Sequence, residues 1–244
     1  MSLELQKRHK VEMRNITKRF PGVVANDHIN FEVETGEVQG LLGENGAGKT
    51  TLMNILYGLY QPDEGEIYVR GEKVKITSCR DAISLGIGMV HQLFMLIPAF
   101  TVTESVILGA EDAKRGFVNI RQAKEKIKEL SERYGLEINP RSKIWQLSVG
   151  ERQRVEILKQ LYRSADIFIF DEPTSALTPK EATSLFSFSR SLAREGHSVI
   201  FITHKLREAM EVCDRITVLR RGKLIATVKA ERTNERELAN MMVG

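Results

Sequence analysis

The chain has 244 residues, 42% of them hydrophobic, with 36 Lys and Arg against 32 Asp and Glu and a formal charge of +4. That is enough apolar material for a real core, which excludes a disordered or fibrous chain; the basic residues are scattered, not gathered into the stripe or patch that nucleic-acid binding needs. Two cysteines, Cys79 and Cys213, lie far apart without metal-ligand spacing, which excludes a zinc motif and a disulfide framework and fits a reducing cytosolic setting. No run of about 18 apolar residues occurs, and MSLELQKRHK has no apolar stretch behind its charges, so neither a membrane span nor a secretory signal is expected.

Residues up to about 35 alternate between apolar and polar, which predicts an antiparallel β layer. VQGLL (38–42) is a short apolar run of buried-strand type, and KTTLMNILYGL (49–59) has apolar residues at helical spacing. The glycines between them therefore lie on a strand-to-helix turn. Gly43–Thr50 satisfies G-x-x-x-x-G-K-[ST]. In such a loop the backbone N–H groups of Gly43, Glu44, Asn45, Gly46, Ala47 and Gly48 wrap phosphate oxygens, and Lys49 reaches the β- and γ-phosphates. The Thr50 hydroxyl ligates magnesium, Thr51 counts among the nucleotide-binding residues, and the positive end of the helix near Gly48 favours an anion. Kinases, GTPases and many ATPases share this loop, so the metal partner must be sought elsewhere.

Residues 38–90 and 165–230 read as strand–helix units of a mostly parallel sheet. Between them, Gln92 to Leu147 reads as a helical insert, with RQAKEKIKELSERYGL (121–136) its clearest amphipathic helix. Its apolar stretch LFMLIPAFTVTESVILG (93–109) is either ordinary packing or a groove for another chain's helix. LSVGERQRVEILKQL (147–161) opens with serine and glycine before a strongly helical run, so Ser148 reads as an N-cap followed by free N–H groups, a second anion site. Glu151, three residues on, can also close a capping box, and the two roles are compatible.

In ADIFIFDEPTSALT (165–178), Ile167–Phe170 reads as a strand buried on both faces, with Asp171 and Glu172 at its C-terminal edge, where parallel sheets bind ligands. Asp171 is placed to hold magnesium directly or through water, and Glu172 to orient or deprotonate the water that attacks the γ-phosphate. A lone acidic pair would more simply cap a helix.

These strings, in this order and spacing, resemble the nucleotide-binding subunit of an ATP-binding cassette (ABC) transporter over nearly the whole chain. Gly43–Thr50 resembles Walker A, Gln92 in MVHQLF the Q-loop, and LSVGE the signature usually written LSGGQ. Asp171 with Glu172 resembles Walker B, Ser175–Thr178 the D-loop, and His204 in FITHKL the H-loop. The resemblance implies an α/β fold with a P-loop NTPase core, a mostly parallel sheet, an N-terminal antiparallel β layer and an inserted α-helical subdomain. It implies one ATPase domain over 1–244, with roughly 1–91 and 165–244 as β layer and core and 92–164 as the helical, signature-bearing part.

It further implies ATP and Mg2+ as cofactors, with Glu172, His204 and Lys49 catalytic and Thr50, Gln92 and Asp171 around the metal. Phe20 in KRFPGVVAND would stack on adenine, its alternative being a partly buried core phenylalanine, and Gln92, Ser148, Gly150 and Glu151 would also touch nucleotide. His204 would contact the γ-phosphate; its alternative is a cap on the strand SVIFIT. Three positions depart from the family pattern: Val149 for glycine, Glu151 for glutamine, and Thr178 for the usual D-loop aspartate.

Implied partners are transmembrane permease subunits, a second cassette paired head to tail, and a solute-binding protein indirectly, with no nucleic acid, at the cytoplasmic face of the cell membrane. KRFPGVVANDHINFEV, MVHQLFMLIPAFTVTESVILG and ITHKLREAMEVCDRITVLRRGK resemble ATPases of simple-sugar and nucleoside importers, and FMLIPAFTVTE leans toward nucleosides. Such ATPases carry two cassettes in one polypeptide, and ANMMVG falls near where a first cassette would finish, so the chain reads as a first half. Two other classes compete. A cassette of translation or chromosome machinery would show a coiled coil or basic linkers, and a P-loop kinase or GTPase gives no account of LSVGE beside FDEPTSALT.

Overall fold

The computed structural model describes residues 9–110 and 119–244. In chain order the strands are β1 (His9–Phe20), β2 (Val23–Glu34), β3 (Val38–Leu42), β4 (Glu64–Val69), β5 (Glu72–Val74), β6 (Ile87–Val90), β7 (Ile167–Asp171), β8 (Ser198–Thr203), β9 (Arg215–Arg220) and β10 (Lys223–Lys229). The α-helices are α1 (Lys49–Leu56), α2 (Cys79–Ser84), α3 (Val102–Ile107), α4 (Ile120–Arg133), α5 (Val149–Tyr162), α6 (Pro179–Arg194), α7 (Leu206–Val212) and α8 (Glu235–Val243).

Two sheets form. The first is antiparallel in the order β2-β1-β4-β5, and the second runs β10-β9-β3-β8-β7-β6, parallel except for the β9–β10 hairpin at its edge. The reading of residues 38–90 as strand–helix units of the parallel sheet needs one correction: β4 and β5 join the antiparallel sheet. β4 pairs with β1, far back in sequence, and β5 with β4; Val11↔Val69 and Met13↔Ile67 pair apolar residues that alternation alone could not assign to either sheet.

β3, β6, β7 and β8 are buried at every position, which is why they read as unbroken apolar runs. Side chains alternate across a strand, so each strand feeds two cores. Ile167, Ile169, Ile200 and Ile202 face a core shared with Met13, Ile16, Phe31, Leu52 and Leu56 of the antiparallel sheet and α1. Phe168, Phe170 and Phe201 face the opposite core with Leu185, Phe186 and Leu192 of α6, continuous with Val106, Ile127 and Ile157 of the insert. Asp166, just before β7, ties the two sheets at their rim: it accepts from Lys10 Nζ at 2.6 Å and Arg70 at 2.9 Å, and His197 Nδ1 lies 3.2 Å away.

The helix expected at 121–136 begins at Ile120 behind Asn119, whose side chain accepts from Gln122 N, and ends at Arg133. Gly135 at φ +62 follows the end of this helix, in a conformation a non-glycine residue resists. α5 and α6 each begin with a complete capping box, Ser148 with Glu151 and Thr178 with Glu181, and Pro179 opens α6 where its missing N–H costs nothing.

Candidate functional site

The C-terminal ends of β3, β6, β7 and β8 lie along one edge of the parallel sheet, and each delivers one part of the site. After β3 the chain turns through Gly43–Gly48 into α1. Glu44, Asn45 and Gly46 form the exposed tip, and Ala47 turns inward. Lys49 donates Nζ to the carbonyls of Gly43 (2.8 Å) and Glu44 (2.9 Å), so the loop closes around its own ammonium. Asn26 of β2 donates Nδ2 to the Gly48 carbonyl at 3.1 Å and fixes the loop from the other side. Gly48 sits at φ +100, and a Cβ there would collide with the Ala25 carbonyl, so only glycine lets β2 approach. Burial pulls the Lys49 ammonium below its ordinary pKa, and the charges of Glu172 and Asp171 oppose this.

β7 ends in Asp171, whose Oδ1 accepts from Thr50 Oγ1 at 3.4 Å. The Asp171 carboxyl is pushed up to about 6, first by burial and then by the charge of Glu172, against the Thr50 hydrogen bond and the Lys49 charge. A buried carboxylate facing a hydroxyl is a hard oxygen pair of the kind that holds Mg2+ together with phosphate oxygens. Among the described residues no group of three or more His, Cys, Asp and Glu gathers to hold a metal.

Glu172 follows at φ +46, a left-handed backbone conformation. Its two oxygens have separate donors: Gln92 after β6 donates Nε2 to Oε2 at 3.3 Å, and His204 after β8 meets Oε1 through Nδ1 at 3.0 Å. An ionised carboxylate only accepts, so Nδ1 carries the hydrogen and Nε2 is left for other work. The structure thus brings Lys49, Thr50, Gln92, Asp171, Glu172 and His204 together from four strand ends.

Phe20 stands half-buried at the mouth of a cleft of about 540 Å3, lined also by Ala25, Asn45, Gly46, Gly48, Lys49, Thr50, Thr51, Gln92 and Glu172. Its ring meets the edge of Tyr60 at 5.4 Å, and Lys18 Nζ lies 5.6 Å from its centroid. None of Ser148, Gly150 and Glu151 lines that cleft. Ser148 N donates to Glu151 Oε2 at 2.8 Å and Glu151 N to Ser148 Oγ at 3.3 Å, and Gly150 is buried against the Glu181 side chain. Thr178 likewise spends its hydroxyl on Glu181.

Sequence reasoning missed Asn26, Tyr60, Gln153 and Glu156. Gln153 donates Nε2 to the Pro173 carbonyl at 2.8 Å, and Glu156 Oε1 accepts from Met95 N at 2.7 Å. Both sit among Val155, Ile157 and Leu158 on a helix that reads simply as polar-capped and amphipathic. The available signal was two polar side chains at i and i+3 inside the apolar sector.

A profile of the ABC transporter family matches residues 26–175. The guanosine import ATP-binding protein NupO of Bacillus subtilis (strain 168) is 58% identical over 96% of this chain and 46% of its own length. The nucleoside import ATP-binding protein NupA of Lactococcus lactis subsp. cremoris (strain MG1363) is 57% identical over 96% of this chain and 46% of its own. The chain spans about half the length of these curated relatives. A bacterial ABC transporter cassette solved as a dimer matches with a TM-score of 0.79 and 29% identity over 90% of this chain and 98% of that one. A phosphate loop closed on Lys49, acidic residues at the end of β7, and a matching family profile across both meet in one conclusion: the chain belongs to the ABC transporter family.

Proposed function

We propose that this chain binds and hydrolyses ATP as part of an importer ATPase, powering uptake of a small polar solute, a nucleoside in the first place, through separate membrane permeases. The observation that carries this reading is the convergence on one carboxylate: Glu172 is held by Gln92 and His204 beside a loop whose Lys49 and Thr50 are set for phosphate. The N–H groups of Gly43–Gly48 bind the phosphates, Lys49 neutralises their charge, and Phe20 stacks on the base. Glu172 takes or orients a proton of the attacking water, and His204 holds Glu172 and keeps Nε2 free for the γ-phosphate. Thr50 and Asp171, with Gln92 nearby, would hold Mg2+, which supplies charge neutralisation at the phosphates.

Ser148, Gly150 and Glu151 lie outside the cleft, so their anion site serves the nucleotide of a second cassette paired head to tail. No helix among the described residues is long and apolar enough to cross a membrane. On this reading attachment to the cytoplasmic face runs through permeases, to which the exposed Leu93, Met95, Ile97 and Trp145 of the helical insert offer an apolar contact. Nucleosides are favoured over sugars because both relatives above are named for nucleoside import. Two measurements test this. Phosphate release from ATP with magnesium should occur and should be lost in Glu172→Gln. Uptake of labelled guanosine by cells carrying the whole transporter should stop with Lys49→Ala, and uptake of ribose in place of guanosine would overturn the substrate assignment.

A further inference from the structure

Two polar side chains of α5, Gln153 and Glu156, are each 3% exposed and one helical turn apart, and neither lines the nucleotide cleft. Gln153 grips the carbonyl of Pro173, the residue directly after Glu172. Glu156 grips the N–H of Met95, three residues beyond Gln92, at 2.7 Å. Since Gln92 itself donates to Glu172, the contacts close a ring: α5 to Pro173, Glu172 to Gln92, Met95 back to α5.

Apart from the half-buried Phe94, which lies beside Gln153 and Pro173, little else anchors the segment between Gln92 and the core. Leu93 is 80% exposed and Met95 64%, and Leu96 is the first apolar residue packed on the buried cluster. Burying a carboxylate in this place is costly: burial pushes the Glu156 pKa up, and only the Lys159 charge, the Met95 hydrogen bond and Arg163 counter it. An apolar side chain of equal length would fill the same volume without that cost. What it could not do is hold the Met95 N–H.

We propose that Glu156 is a positioning residue for ATP hydrolysis: by holding the Met95 N–H it sets the reach of Gln92 and so its grip on Glu172. The signature helix, which starts at Ser148, is thereby tied to the hydrolytic carboxylate through backbone it never touches at the cleft. This rests on the ATPase reading above.

The test compares kcat and KM for ATP in the parent chain, Glu156→Met, Glu156→Gln, Gln92→Ala and the Gln92→Ala/Glu156→Met double variant. Methionine keeps the length and loses the acceptor; glutamine keeps the acceptor and loses the charge. Glu156→Met should lower kcat about tenfold with KM within about twofold of the parent, and Glu156→Gln should restore the parent kcat. In the Gln92→Ala background the added Glu156→Met should cost nothing further, because the path it acts through is already cut. Unchanged kcat in Glu156→Met, equal damage in Glu156→Gln, or losses that multiply in the double variant would each overturn the proposal while leaving the ATPase reading intact. A parent that releases no phosphate would overturn both. Should Glu156→Met fail to fold, Glu156→Asp, which keeps the charge and withdraws the acceptor, is held to the same outcomes.

Discussion

His204 Nδ1 lies 3.0 Å from Glu172 Oε1, so on the proposed reading the base for water and the group facing the γ-phosphate are held as one unit. Replacing Glu172 with glutamine keeps the shape of that unit and removes its basicity. Hydrolysis by Glu172→Gln should fall by about 100-fold or more. With ATP and magnesium the variant should accumulate as a dimer in size-exclusion chromatography, since the γ-phosphate that both cassettes hold is no longer removed. Adding Ser148→Arg should return it to monomer by blocking the other cassette's phosphate. A Glu172→Gln chain that stays monomeric at high protein and ATP concentration points to a natural pairing with a different cassette.

Lys49 is buried and bonded to two carbonyls of its own loop, so Lys49→Ala removes a brace and, on the proposed reading, the counter-charge of the phosphates. ATP affinity should drop by about 2 kcal/mol and phosphate release should vanish. Calorimetric titration and a phosphate assay read the two losses separately. Unaltered turnover would move the phosphate site away from Gly43–Thr50.

Phe20 touches Tyr60 edge-on and is only half buried, so the fold does not depend on it. Phe20→Ala should weaken ATP binding by about 1 kcal/mol with an unchanged melting temperature. Equal affinity in variant and parent would place the adenine contact elsewhere, with Tyr60 the next residue to replace.

Asp166 carries the clearest acid sensitivity. Burial raises its pKa, but the hydrogen bonds and charges of Lys10 and Arg70 outweigh this and hold it below the ordinary carboxylate value. A depressed folded-state pKa means stability that is fully present above the unfolded value of about 3.9 and is lost as pH falls through the folded value. Asp166→Asn should cost about 1–3 kcal/mol at neutral pH, because Lys10 and Arg70 lose their shared partner. In chemical denaturation the gap between variant and parent should narrow below about pH 4. A gap constant from pH 7 to pH 3 would mean the ion pairs do not stabilise the rim.

The legible parts of this molecule are those written in contiguous residues. The turn at Gly43–Thr50, the cap at Ser148 and the acidic pair ending β7 each follow from a few neighbours and the chemistry of a strand end. The partner of β4 is not written that way: whether Ile67 and Val69 pair with β1 or enter the parallel sheet depends on contacts more than fifty residues apart. The same holds for Asn26 under Gly48 and Asp166 beneath Lys10, where a polar residue in a strand or turn looks solvated until its distant partner is seen. Gln153 and Glu156 hid differently. On a helix with many charges, an inward polar residue is indistinguishable from an outward one until the backbone it satisfies is known.

Glu172 occupies a left-handed backbone conformation at φ +46, where a side chain of this kind costs up to about 1 kcal/mol relative to glycine. The residue to which the proposed reading assigns hydrolysis is therefore one the fold would be more comfortable without. In a gene copy released from the need to turn over ATP, drift toward glycine or asparagine at this position would raise stability while silencing the enzyme. Such a copy would still grip nucleotide through the loop around Lys49. The backbone thus favours a route by which duplicated cassettes decay into permanent binders and leave hydrolysis to their partner.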